Sequence, residues 1–139
     1  MSRRVLIDTG PLVAILSADD AHHDNCVAEL ARLRPPLFTC WPVLTEAHWL
    51  LRRDARAVDG LFKAFDTGML ALAPLDADAL AWIAAFLRRY RRLGAQLADA
   101  AIVYLAERDG ITTVFTLDRR DFAVYRCGRN RALTLLPQS

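Results

Sequence analysis

Apolar runs of three or four residues recur along this chain, each set off from the next by stretches of helical periodicity. The runs are Val5–Asp8, Leu37–Cys40, Met69–Leu72, Thr113–Phe115 and Leu133–Leu136. Between them, Gly10-Pro11 opens a short apolar helix, and helical spacing marks 22–33, 42–53, 57–65, 76–90 and 97–108. A strand covered on both faces reads as an unbroken apolar run, because neither side meets water. Strands of this kind alternating with helices predict an α/β fold: a three-layer α/β/α sandwich around a central, mainly parallel sheet. In such sheets, functional groups gather beyond the carboxyl ends of the strands. Asp8 stands at one such end, and Asp118 follows Phe115 by three residues.

The 139 residues predict one domain over 1–139, and 54% hydrophobic content is enough for a sizeable core. A net charge of +2 is too small to identify a nucleic-acid partner by itself. Three widely spaced cysteines (Cys26, Cys40, Cys127) form no CxxC pair, which removes zinc and redox motifs and predicts buried thiols in a reducing, cytoplasmic setting. The apolar run 79–87 is far short of the roughly 20 residues a bilayer requires, so no membrane partner is expected.

Four acids carry the chemistry. Asp99 lies in the helix LADAAIVYLAER (97–108), whose apolar residues cover most of its circumference. A carboxylate there needs a partner, and an N-terminal capping role would supply one. Glu46 lies in PVLTEAHWLLRR (42–53), about 100° from the centre of the Val43, Leu44, Ala47, Leu50, Leu51 stripe, and is read as a first-turn acid. In FTLDRRDF (115–122), Asp118 and Asp121 would equally suit a solvated surface turn. Parallel topology brings two strand ends and two helix starts to one sheet edge. Crowded carboxylates repel, and a hard divalent cation such as Mg²⁺ or Mn²⁺ relieves the repulsion with oxygen ligands alone. The reaction such a site favours is metal-assisted phosphoryl chemistry.

At these residues the chain resembles the PIN-domain ribonucleases, and among them the VapC-type toxins of toxin–antitoxin pairs. The matching pieces are LIDTGPLVAIL (6–16), PVLTEAHWLL (42–51), LADAAIVYLAE (97–107) and TVFTLDRRDF (113–122), in that order. The resemblance implies a Mg²⁺- or Mn²⁺-dependent endoribonuclease that leaves a 5′-phosphate and a 3′-hydroxyl. It implies a homodimer inhibited by a cognate antitoxin. Asp8, Glu46 and Asp99 match the family's acids, and Asp118 matches its more variable fourth. Asp8, Asp99 and Asp118 would hold the metal, and Glu46 would activate water or complete a second metal site. Thr9 matches the small residue after the first acid and Thr116 the hydroxyl residue before the fourth; either would orient a carboxylate or a water. Where the family carries a second late acid, one residue often separates the pair; here Arg119 and Arg120 both intervene, so Asp121 is placed outside the direct ligands.

Arg119 and Arg120 are candidate RNA contacts, as are Arg91 and Arg92 in LRRYRRLG (87–94), which would equally form a solvated helix end. His22-His23 fits a helix cap better than a metal site. Trp41, Trp49 and Trp82 are read as core or interface anchors. Rival enzyme classes fit poorly. A phospho-acceptor domain wants a late lysine, but Lys63 is the only lysine; a dehalogenase-like phosphatase wants an acid two residues after Asp8, where Gly10 stands. The remaining alternative is a catalytically weak PIN-like module that binds RNA or a partner.

Overall fold

The computed structural model describes residues 3–138. Five strands form the main sheet: β1 (Leu6–Ile7), β2 (Leu37–Thr39), β3 (Leu70–Leu72), β4 (Thr113–Phe115) and β7 (Thr134–Leu136), in the order β3-β2-β1-β4-β7. Every pairing is parallel, with Leu6 opposite both Phe38 and Val114, and Ile7 opposite Phe115. The helices are α1 (Thr9–Leu16), α2 (His23–Ala31), α3 (Trp41–Leu51), α4 (Ala55–Asp66), α5 (Ala79–Arg89), α6 (Leu97–Asp109) and the short α7 (Arg119–Phe122). This is the expected α/β/α sandwich.

The chain order reverses between β1 and β4. From β1 it steps through β2 to β3, then returns across the sheet to β4 and continues outward to β7. Parallel crossovers are right-handed, so connections of opposite sense lay their helices on opposite faces. The reversal opens a crevice at the carboxyl ends of β1 and β4, where such sheets bind ligands.

The core follows from the strand composition. Leu6, Ile7, Leu37, Val114 and Phe115 are buried, as are Ala98, Ala100, Ala101, Ile102, Val103, Leu105 and Ala106 of α6. That helix is enclosed as its sequence predicts, packed against α3, α5 and β1, which its small residues let approach closely. Gly110 ends α6 with φ of 68°, a left-handed conformation that costs glycine no Cβ clash. Cys26, Cys40 and Cys127 are free and buried. His22 flanks the start of α2 and His23 is its first residue: the His22 amide donates to Asp20, and the His23 ring donates to the Ala14 carbonyl at 2.7 Å. Among the described residues no helix is long and apolar enough to cross a membrane.

Several expectations fail. Glu46 is not in the first turn of α3; Trp41 and Pro42 begin the helix, which moves Glu46 into its second turn and weakens any pairing with the helix dipole. Leu50 is 57% exposed although it shares the helical stripe of buried Val43 and Ala47, because it opens onto the candidate cleft. Of the two readings open to Trp41 and Trp49, core or interface anchor, their exposures of 59% and 61% remove the core and leave the interface. The Arg52 guanidinium lies 3.7 Å from the Trp49 ring centroid, a cation–π contact at the surface. Segment 119–122, for which a solvated surface turn was one reading, is the short helix α7. A two-stranded hairpin of β5 (Arg126–Cys127) and β6 (Arg131–Ala132) follows, without an apolar alternation that would have announced it.

Candidate active site

Asp8 is the residue after β1. Its amide donates to the Phe115 carbonyl at 2.9 Å, which extends the β1–β4 ladder one step past the strand and fixes the carboxylate at the crevice. Asp8 then acts as the N-terminal flank of α1. Gly10 marks a close approach: a Cβ there would stand 3.3 Å from Leu117 Cβ, so α1 and the loop after β4 touch at this point. The Asp8 side chain is 7% exposed. Burial pushes its pKa up to about 6; Asp99 and Glu46 push the same way, while the Thr9 backbone and the Thr116 hydroxyl pull against them.

Asp99 occupies the third position of α6 and does what a capping acid does. Its Oδ2 accepts from the Gln96 amide at 3.1 Å while the Gln96 side chain accepts from the Asp99 amide, a reciprocal capping box. The same Oδ2 accepts from the Tyr125 hydroxyl at 3.1 Å. Both bonds fall on one oxygen. Asp99 is also pushed above the usual carboxylate range, chiefly by burial, with Asp118 and Glu46 adding to the rise. The capping reading and the functional reading therefore describe the same side chain.

Asp118 flanks α7, and its Oδ1 accepts from the Asp121 amide at 3.2 Å. The Asp118 amide in turn donates to Thr116 Oγ1 at 3.0 Å. Thr116, fully buried, donates that hydroxyl to Asp8 Oδ2 at 3.0 Å. Asp121 is nudged upward, first by partial burial and then by Asp118. Thr9 is buried, and its hydroxyl has no hydrogen-bond partner among the described residues. Cys40, at the start of α3, has its thiol pushed up to about 11, mainly by burial, and is unreactive packing.

Asp8, Thr9, Glu46, Asp99, Asp118 and Asp121 all line one open cleft of about 430 Å³, walled on its apolar side by Leu50 and Leu117. The structure thus brings together every acid singled out in the sequence. It separates the candidate arginines. Arg119 donates to the Pro137 carbonyl, while Arg120 is exposed and close enough to Asp121 to pull its proton affinity down. Arg91 and Arg92 lie exposed in a 3₁₀ turn, and Gly94, just beyond it, forms part of the cleft rim. Tyr125 carried no signal in the sequence, being 26 positions from Asp99. Gln96 did carry one, three residues ahead of an acid at a helix start.

The donor chemistry suits a hard divalent cation: the side-chain donors are oxygens, and the carboxylates raise one another's proton affinity. Among the described residues no lysine, arginine or histidine forms a salt bridge with any of them. Also among the described residues, no three acidic, histidine or cysteine side chains stand close enough to close round a single ion.

Two solved structures share this architecture. The crystal structure of Mycobacterium tuberculosis VapC20, a Sarcin-Ricin loop cleaving toxin, is similar with a TM-score of 0.76 at 22% identity, over 84% of this chain and 91% of that one. That of VapBC2 from Rickettsia felis, bound to a DNA fragment from their promoter, gives 0.62 at 16% identity, over 94% of this chain and 96% of that one. At these identities the likeness establishes the fold. No curated protein sequence matches the chain significantly. The PIN domain family model matches residues 5–126, which include all five carboxylates of the cleft, and the chain belongs to the PIN-domain family.

Proposed function

We propose that this protein is a divalent-metal-dependent endoribonuclease, the toxin of a type II toxin–antitoxin pair, hydrolysing RNA with an activated water. The convergence of Asp8, Glu46, Asp99 and Asp118 on one cleft at the sheet's reversal point carries this reading. Asp8, Asp99 and Asp118 would hold Mg²⁺ or Mn²⁺, directly or through water. The ion, when bound, supplies Lewis-acid polarisation of the phosphodiester and lowers the pKa of a water. Glu46 orients the attacking water and takes its proton, or completes a second ion's shell. Thr116 holds Asp8 and Asp118 in mutual register, Thr9 offers its unpartnered hydroxyl beside them, and Asp121 acts through Asp118. Arg120, Arg91 and Arg92 are the proposed phosphate contacts; Arg119 is the weaker candidate because a backbone carbonyl already occupies it.

The proposed partners are an RNA substrate, a cognate antitoxin protein that covers the cleft, and a second copy of the chain, in the cytoplasm. Exposed Trp41, Trp49 and Phe62 on α3 and α4 support a protein partner, since large apolar side chains grouped at a surface mark interaction sites.

Brief expression of the wild type and of Asp8→Asn, followed by sequencing of RNA 5′ ends, tests the reading. New ends should cluster in the wild type alone. Identical end profiles from both would remove it. One observation favours a second reading, a PIN-like module that binds RNA or a partner without cutting: the absence, among the described residues, of a ready three-ligand ion site. That module would retain RNA without generating ends at any Mg²⁺ or Mn²⁺ concentration.

A further inference from the structure

Tyr125 is the least expected residue at this site. It belongs to neither a catalytic motif nor a cleft wall. It follows α7, is completely buried, and yet reaches Asp99 Oδ2 with its hydroxyl at 3.1 Å. Its ring is held on three sides: Phe86, Tyr90 and Phe122 each have their centroid 5.0 Å away, all tilted or edge-on. Phe86 and Tyr90 come from α5 and its end, and Phe122 from α7. The Tyr90 hydroxyl accepts from the Arg126 amide at 3.1 Å, which pins the backbone next to Tyr125 to the end of α5. A ring packed this way cannot swing, so its O–H presents one fixed direction to Asp99.

Asp99 needs such a fixture. The Gln96 amide holds Oδ2 along the helix axis, but one hydrogen bond lets a carboxylate rotate about it. A second donor on the same oxygen, arriving from a different element, removes that freedom. Among the described residues no hydrogen bond to Oδ1 is found, so the second oxygen is the one available to the cleft.

We propose that Tyr125 is a positioning residue: its buried hydroxyl fixes the Asp99 carboxylate so that Oδ1 is presented to a divalent cation in the cleft. The inference rests on the metal-dependent reading of the site. It differs from a packing role for Tyr125, because packing depends on the ring and positioning on the hydroxyl. Groups that orient a metal ligand from behind typically govern metal affinity by about 10- to 100-fold.

Tyr125→Phe keeps the ring and deletes the hydroxyl. Calorimetric titration of the metal-free wild type and variant with Mn²⁺ should show binding weakened by about 10-fold or more. Cleavage of RNA at low Mn²⁺ should lose kcat in step, KM for RNA should hold, and excess Mn²⁺ should restore kcat. Equal Mn²⁺ affinity in a folded Tyr125→Phe overturns the proposal, even if its melting temperature has dropped. Should that variant not fold, the wild type labelled with 3-fluorotyrosine decides: the Tyr125 resonance should shift on adding Mg²⁺, and an unmoved resonance overturns the proposal. A wild type that neither binds Mn²⁺ nor cuts RNA sinks the metal-dependent reading itself, and with it this role for Tyr125, whereas a binding and cutting wild type with an indifferent variant sinks the positioning role alone.

Discussion

The Thr116 hydroxyl donates a 3.0 Å hydrogen bond to Asp8 Oδ2 and accepts one of the same length from the Asp118 amide. One buried hydroxyl thus ties the end of β1 to the end of β4 and sets two of the acids at a fixed spacing. Neither bond is replaceable by water, because Thr116 is fully buried.

Thr116→Val should therefore destabilise the protein by about 1–3 kcal/mol, the usual cost of stranding a buried polar partner. Thr116→Ser should behave nearly as wild type, since it keeps the oxygen and loses only a methyl group. Urea denaturation of the three proteins measures this; a valine variant as stable as wild type would show that the bridge contributes nothing.

The stability of the metal-free protein should depend on pH through Asp8. Its folded pKa of about 6 exceeds the ordinary 3.8 because burial disfavours the charge. Above pH 6 the carboxylate is charged both folded and unfolded, so the burial cost of about 3 kcal/mol is fully present. As pH falls from about 6 to about 4 the folded state takes up the proton first, and stability from this group rises. Asp8→Asn should consequently be more stable than wild type at pH 7.5, with the difference vanishing near pH 4. Parallel denaturation curves for the pair across that range check the sign, and a gap that widens on acidification contradicts it.

Bound cation should reverse that preference for neutrality. At about 100 times its dissociation constant, Mn²⁺ is expected to stabilise the native wild type by about 2.7 kcal/mol. Asp8→Asn and Asp99→Asn should lose this response together with cleavage, and Glu46→Gln should reduce cleavage by about 10²–10⁴ if it handles the proton of the attacking water. Thermal scans with and without Mn²⁺, beside RNA cleavage assays, read both effects. Identical melting curves for the wild type with and without saturating Mn²⁺ count against an ion in this cleft.

The apolar face of α3 and α4 should govern self-association. Trp41 and Phe62 border one small groove with Leu44, Thr45 and His48, and both are at least half exposed. Trp41→Ala combined with Phe62→Ala is expected to shift sedimentation from dimer to monomer while melting little below wild type. A dimer that survives the double change places the interface elsewhere.

The strand alternation was legible because a strand buried on both faces has no choice but to be apolar throughout. Val5–Asp8, Leu37–Cys40 and Thr113–Phe115 accordingly lie within a residue or two of the observed strands. Enclosure of α6 was legible for the same reason. Exposure of Leu50 and Trp41 was not, because helical periodicity reports which residues share a face and is silent on what that face meets. The β5–β6 hairpin, in the segment RCGRNRA, was invisible: it has no apolar alternation, and its turn has Gly128 and Asn130 at positive φ, which sequence pattern does not register.

At the site, chain order alone identified Asp8, Glu46, Asp99 and Asp118 as acids placed at strand ends and in helices near one sheet edge, since parallel topology leaves few other places for them. Which oxygen of each is spoken for was decided only by tertiary structure. Thr116 reaches Asp8 across 108 residues, and Tyr125 reaches Asp99 across 26. A hydrogen bond is made between atoms about 3 Å apart whatever their separation along the chain. Local pattern therefore determines the elements and the kinds of group they carry, and packing alone determines which of those groups meet.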